Sequence, residues 1–353
     1  MQKHQRSVVS MAVMAALASG AAQAVSDKLE ISGFGDITYM VTDDTTPKDA
    51  NNKSPTEGKF GASAEVDFVG KLADNVTVRV DADLDLVTNG GANVASSDSG
   101  RIEQASFAFA ATDKFTLLGG VFNNPIGWEK EDAPDMYQTT HGQIWAIMDG
   151  QTALHGNNVA GVAGAINLGK ATVTIGLLND LQQSSEENSV ALAVNATPID
   201  NLDIEAGFVT QASRQDSAGS GTYGFGANST GIGSAEDWWD INATYRWKEL
   251  LVAAEYFSAD KVVDAAYAVY ANYSFAGGFG LTARYDEVTY QDPYAAVKDT
   301  TTVTVAGSYA IAKNLSAILE WRSHDDANDT DGVNGGGIIG DGDVVQVEFV
   351  ATF

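Results

Sequence analysis

Carboxylates and guanidinium groups recur at every second position along much of this chain. In KFGASAEVDFVGKLADNVTVRVDADLDLV, Glu65 and Asp67 share a face with Ser63 and Lys71, and Arg79, Asp81, Asp83 and Asp85 follow at the same spacing. Asp240 and Arg246, Glu255, Arg284 and Asp286, Glu320 and Arg322, and Glu348 lie in later segments of the same kind. Carboxylates facing one water-filled space favour cations and disfavour anions. In the competing reading, many of these acids pair with the arginines and brace a wall. The sequence leaves both open.

Catalytic and metal chemistry find less support. Beyond residue 24 the histidines are His141, His155 and His324, with no G-x-S-x-G elbow and no H-E-x-x-H pair. His141 with a nearby serine is the one hydrolase candidate, and no triad can be placed by spacing. The run DDANDTDGVNGG fails the EF-hand register, because Gly332 at the sixth position puts Ala327 first and Ile338 twelfth. Asp325, Asp326, Asp329 and Asp331 form a looser calcium set, against which a solvated acidic loop is the better reading. The sequence names no metal ligands, no cofactor and no catalytic residue.

The elements that must position these charges have a period of two. Phe60, Ala62, Ala64, Val66 and Phe68 alternate with the acids of the first segment, and Val76, Val78, Val80, Ala82, Leu84 and Leu86 with those of the second. Helical spacing at i, i+3 and i+4 is missing there, so long strands are expected. About sixteen such segments of about 9–13 residues recur, a length that suits tilted membrane strands. Seven short turns, including Lys248-Glu249 and Gly277-Gly278, alternate with longer polar connections. This parity predicts an all-β, antiparallel up-and-down transmembrane barrel with short periplasmic turns and long extracellular loops. In lipid every backbone N–H and C=O must be paired, so the sheet must close on itself. Aromatics mark the strand ends as interfacial girdles: Phe115, Trp247, Phe275 and Phe279 by short turns, and Tyr39, Trp238, Trp239, Tyr256 and Trp321 toward long loops.

The two ends of the chain agree with an envelope route. Residues 1–24 read as a signal peptide, with Lys3, His4 and Arg6 before an apolar stretch and Ala22-Gln23-Ala24 as the cleavage site. Residues 25–353 then form one barrel domain. At the other end, Val345, Val347, Phe349, Ala351 and Phe353 share one face, which should meet lipid while the last strand pairs with the first. The net charge of −27, or −29 without the leader, opposes nucleic-acid binding. There is no cysteine, so no disulfide contributes.

The longest irregular stretch runs from Asn123 to Asn158. It carries Ile126, Trp128, Met136, Tyr137, Ile144, Trp145 and Ile147, too apolar for a floppy surface loop, and is expected to fold into the lumen. Asn124, Pro125, Gly127, Glu129, Lys130, Glu131, Asp132 and Asp135 are its constriction candidates.

Two resemblances sharpen this picture. The alternating C-terminal segment ending in an aromatic resembles the targeting signal of bacterial outer-membrane proteins, which implies recognition of Val345, Val347, Phe349, Ala351 and Phe353 by the barrel-assembly machinery. GGVFNNPIGWEKEDAPDMYQ resembles the signature of the OmpL-like β-barrel porin family through Gly119, Gly120, Asn124, Pro125, Gly127 and Glu129. The resemblance implies a Gram-negative outer-membrane porin without an established substrate. Enterobacterial general porins share the architecture, but their Pro-Glu-Phe-Gly-Gly motif is not found here. The expectation is a water-filled channel for passive diffusion of small hydrophilic solutes or ions, cation-preferring, with outer-membrane lipids as its surroundings. A homotrimer is expected by analogy, and no nucleic acid. The alternative is an outer-membrane barrel enzyme or adhesin with a plugged lumen.

Overall fold

The computed structural model describes residues 29–44, 57–87, 101–130, 132–152, 154, 156–181, 183, 186–211, 237–260, 263–291, 299–326 and 342–353. The leader, His155, Glu131, Asp329 and Asp331 lie outside the described residues, as does the Asp85 side chain.

Strands form where the alternation runs. β1 (Leu29–Asp44), β2 (Glu57–Ala73), β3 (Val76–Val87), β4 (Arg101–Ala110) and β5 (Phe115–Asn123) precede the long irregular stretch. β6 (Asn158–Asn167), β7 (Ala171–Asn179), β8 (Asn188–Ile199), β9 (Leu202–Thr210) and β10 (Trp238–Trp247) follow it. β11 (Leu250–Ala259), β12 (Val263–Ser274), β13 (Phe279–Tyr290), β14 (Thr300–Ala312), β15 (Leu315–Asp326) and β16 (Gly342–Thr352) complete the set. Each strand pairs antiparallel with its neighbours in sequence, and β1 pairs with β16, so the sheet closes as a barrel of 16 strands. Closure leaves no edge whose backbone groups lipid would strand.

The outward face is the apolar one. Ile31, Phe60, Ile175, Leu177, Leu281 and Leu319 are exposed along it. Val345 and Phe349 of β16 and the terminal Phe353 that follows it are exposed while Gln346 and Glu348 are buried inside. The Phe353 N–H donates to Gly33 O at 3.0 Å, and a methyl group at Gly33 would meet the Phe353 ring at 2.7 Å. The absent side chain of Gly33 is therefore the seat of the terminal ring beside the closing seam.

The short turns fall where the sequence puts them. Asn201 and Lys248 take positive φ values of 65° and 56°, and Gly277 and Gly278 of 89° and 88°, as tight hairpins of right-handed twist require. Pro198 differs: it lies within β8 rather than in the turn, where the register shifts between Ala196 and Ile199, the kind of irregularity at which a residue without an N–H is tolerated. The girdle aromatics face outward with one correction. Trp239 is exposed and Trp238 is buried inside, because adjacent residues of a strand cannot share a face.

Candidate functional site

The stretch between β5 and β6 contains two elements the sequence reading lacked. A 3-10 turn spans Ala133–Asp135, and helix α1 spans Gln143–Gly150. Ile144, Ile147 and Met148 lie on one face of α1 and are buried together with Ile126. They pack on inward residues of the wall: Val159 and Ala163 of β6, Leu178 of β7, Ala191 and Ala193 of β8, Val209 of β9, and Ala253, Phe257, Ala266 and Ala268 of β11 and β12. These residues form one apolar core between the loop and the wall. Its signal was present in runs such as VAGVAGAIN and AAYAVYANY, where both faces are apolar and the inward one is small.

Gly207 shows how close this packing is. A methyl group there would meet Ile126 Cγ1 at 2.7 Å and Cδ1 at 2.8 Å, so Ile126 seats on bare backbone of β9.

Polar anchors take over along the loop's course. The Gly127 N–H donates to Glu205 Oε1 at 2.7 Å, and the Trp128 N–H to Glu255 Oε1 at 2.7 Å. Trp128 Nε1 donates to Thr244 Oγ1 at 2.6 Å, and its ring lies 4.0 Å from that of Tyr270. Thr139 and Thr140 donate their N–H groups to Glu320 Oε2 at 2.7 and 3.2 Å, and Thr140 Oγ1 donates to Oε1 at 2.5 Å. Gln143 Nε2 donates to Thr302 Oγ1 at 3.0 Å and its N–H to Asp286 Oδ1 at 3.3 Å. Carboxylates of β9, β11, β13 and β15 therefore hold the loop's backbone. Charge-assisted bonds of this kind are about twice as strong as neutral ones.

Glu129 and Arg284 meet at the centre of this arrangement. Glu129 accepts from Gly142 N–H and Gln138 Nε2, each at 2.5 Å, and from Arg284 Nη1 at 3.2 Å. His141 Nδ1 is 3.7 Å from Glu129, and its ring stacks on Trp145 at 3.6 Å. Burial alone would raise the Glu129 carboxyl, but His141, Arg284 and the Gly142 N–H together hold it below its usual value.

A second charged cluster forms where the loop meets β2, β3 and β4. Arg79 bridges Asp67 at 2.9 Å and Asp81 at 2.6 Å, and Arg101 pairs with Asp83 at 3.2 Å. Glu65, Asp67 and Asp81 each bring an oxygen within 4.8 Å of the others, as do Glu65, Glu103 and Asp132, a convergence the sequence reading did not contain. Burial pushes the Asp132 carboxyl up to about 6; Arg79 pulls against this, and Asp135 and Asp67 add to it.

The predicted wall charges whose side chains are described face inward, yet most are not open to water. Glu65, Asp81, Asp83, Asp240, Glu255, Arg284, Asp286, Glu320, Arg322 and Glu348 are buried, since the loop and neighbouring wall groups cover them. Asp67 and Arg79 are half-buried, and Arg246 is half-buried beside Asp203, 2.5 Å away. Of the two readings the sequence left open, the bracing one fits the buried set.

Of the loop candidates, Asn124 Nδ2 donates to Asn157 Oδ1 at 3.2 Å and Asn124 Oδ1 accepts the Ile126 N–H at 3.2 Å, closing the loop's neck next to Pro125. Gly127 takes a φ of +113°, which only glycine adopts without strain. Lys130 and Asp135 are half-buried. Glu103, Glu205 and Asp203 were missed. Glu103 sits at a bulge opposite Asp81 and Ala82, where alternation fails and Gln104 is buried as well.

Comparisons with known proteins agree on architecture. A family model described as Gram-negative porin matches residues 10–337. The structure is similar to Salmonella typhi OmpF in complex with daunomycin, at 14% identity over 92% of this chain and 97% of that chain, with a TM-score of 0.69. It is also similar to outer-membrane expressed OmpT of Vibrio cholerae, at 13% identity over 94% and 99%, TM-score 0.61. The trimer form of in-vitro folded Vibrio cholerae OmpT gives 13% identity over 93% and 100%, TM-score 0.59. No curated protein sequence matches the chain.

Proposed function

The chain belongs to the Gram-negative porin family of the outer membrane, and from that premise we propose that it passes small hydrophilic solutes by diffusion, with the 123–158 loop as its constriction and a preference for cations. The observation that carries this reading is the anchoring of the loop to strands across the barrel from its roots. Its ends join β5 and β6, while Glu255 of β11 and Glu320 of β15 accept its backbone N–H groups. A loop held there narrows whatever path remains beside it.

Cation preference rests on charge balance. Arg79, Arg101, Arg246 and Arg284 are each bonded to a carboxylate, Arg322 is buried beside Glu320, and the formal charge of the chain is −27. His141 is stacked on Trp145 and lies 3.7 Å from Glu129, within the loop's own anchoring network. We further propose a homotrimer, by likeness to the trimer form of the Vibrio protein, and recognition of the β16 residues Val345, Val347, Phe349, Ala351 and Phe353 by the barrel-assembly machinery.

Planar-bilayer recording of purified protein tests the reading. Discrete conductance steps are expected, with a reversal potential in a potassium chloride gradient on the cation side. A folded barrel, verified by a heat-modifiable gel shift, that conducts nothing would favour a plugged lumen instead.

A further inference from the structure

We infer that Arg284 is the clasp that holds the 123–158 loop against the wall, a positioning residue rather than a charge that passing solutes sense. The inference rests on the reading of that loop as the constriction.

A guanidinium group offers five N–H donors in a rigid fork. In Arg284 all five are used. Nε donates to Asp286 Oδ2 at 2.7 Å on its own strand, and Nη2 to Thr304 Oγ1 at 3.2 Å on β14. The other bonds go to the loop: Nη1 to Thr140 O at 2.6 Å and Glu129 Oε1 at 3.2 Å, and Nη2 to His141 O at 3.0 Å and, at the longer distance of 3.4 Å, to Thr140 Oγ1. The one planar group thus joins two wall strands to both limbs of the loop, at Glu129 and at Thr140-His141.

Burial separates this residue from Arg79 and Arg246, and its loop bonds separate it from the buried Arg322. The Arg284 side chain is 0% exposed, against 18% for Arg79 and 32% for Arg246. Two carboxylates, Glu129 and Asp286, lie within bonding distance and more than offset its charge, so the group presents no net positive field to a passing solute. What remains for it to supply is geometry, and the loop bonds from one fork supply a great deal of it.

The test uses the full-length protein and the single tryptic site of the loop. Lys130 is the only lysine or arginine between Asn123 and Asn158. Arg284→Lys keeps the charge but replaces the fork with a three-donor point charge. Arg284→Gln removes the charge as well. With heat-modifiable mobility confirming a folded barrel, trypsin should cut after Lys130 on the order of tenfold faster in both variants than in wild type, because loss of charge-assisted bonds raises the population of the undocked loop. Wild-type resistance in Arg284→Lys would overturn the inference, since charge alone would then suffice. Should neither variant fold, Thr304→Val removes one acceptor of the same fork. A smaller acceleration, about twofold, is then expected, and none would overturn the inference. Cleavage is read without conductance, so a clasp that passes this test in a protein that does not conduct would leave the clasp standing and remove only the channel reading.

Discussion

Along β6 to β12 the inner wall offers small apolar residues such as Ala163, Ala191, Ala193, Ala266 and Ala268, which share one buried cluster with Ile126, Ile144, Ile147 and Met148 of the loop, and adds directed bonds from Glu205 and Glu255 only at Gly127 and Trp128. Along β13 to β16 and on through β3 the inner wall carries Arg284, Asp286, Glu320, Arg322, Glu348, Glu65, Asp67, Arg79 and Asp81, and the loop meets it through directed polar bonds. The two sectors hold one segment of chain by different physics. Apolar packing is non-directional and needs only matching volume, which small wall residues give to large loop residues. Carboxylates and a guanidinium fix individual backbone groups in place, at the cost of desolvating charges that must then all be satisfied. The dry sector should thus govern whether the loop is docked, and the charged sector how its free edge is aimed.

The sharpest way to break this division is to fill the seat of Ile126. Gly207→Val places a branched side chain where a methyl group already collides with Ile126. Expelling a buried isoleucine costs roughly 2–5 kcal/mol, more than any one anchor supplies. The loop should undock while the barrel stays closed, so single-channel conductance rises severalfold, on the order of the widening expected for an unanchored constriction. Unaltered conductance in a folded Gly207→Val barrel would show that the dry sector does not control docking.

A milder change in the charged sector sharpens the comparison. Glu320→Gln keeps the shape but loses the charge that draws the Thr139 and Thr140 N–H groups and the Thr140 hydroxyl. A loss of about 1–3 kcal/mol is expected locally. Hydrogen exchange at Thr139 and Thr140 should accelerate while that of the α1 amides stays as in wild type. Equal acceleration in both places would mean that the sectors act as one cooperative unit.

How much of this was legible follows the same boundary. The outward face needs only local alternation, because every outward residue meets the same solvent, and so strands, turns, closure and the lipid-facing row on β16 could be read directly. The inward face answers to partners far away in sequence. Nothing near Glu255 announces that Trp128 will donate to it. Some missed features did leave local marks. Ile144, Ile147 and Met148 stand at helical spacing, and Trp238 beside Trp239 forces one of the two indoors. Glu103 left none, because its bulge interrupts the very period by which inward residues were recognised. The exposure of the inward charges stayed open in the sequence for the same reason: alternation says which way a side chain points and nothing about what covers it.

The smallest expected effect concerns Asp132, where the loop meets the second charged cluster. Its carboxyl is pushed up to about 6 from the usual 3.8, chiefly by burial. Asp135 on the loop and Asp67 and Glu65 on β2 face it, as do Arg79 on β3 and Glu103 on β4. A raised acid is docked most easily when protonated. Below its usual value it is protonated whether the loop is docked or free, and docking carries no penalty. Between that value and 6 the penalty grows, and above 6 it is fully present. Lowering the pH from 7 to 5 should therefore tighten the loop and remove one negative charge, reducing both conductance and cation preference by tens of per cent at most, because Asp132 retains some contact with water that screens it. Glu129, held below its usual value, acts in the opposite direction and only at lower pH, where its protonation loosens the grip of Arg284. Asp132→Asn at pH 7 should match the wild type at pH 5 and show no step near 6. A step that survives in Asp132→Asn would place the titration on the wall itself, and the charged sector would then set the pH response without the loop.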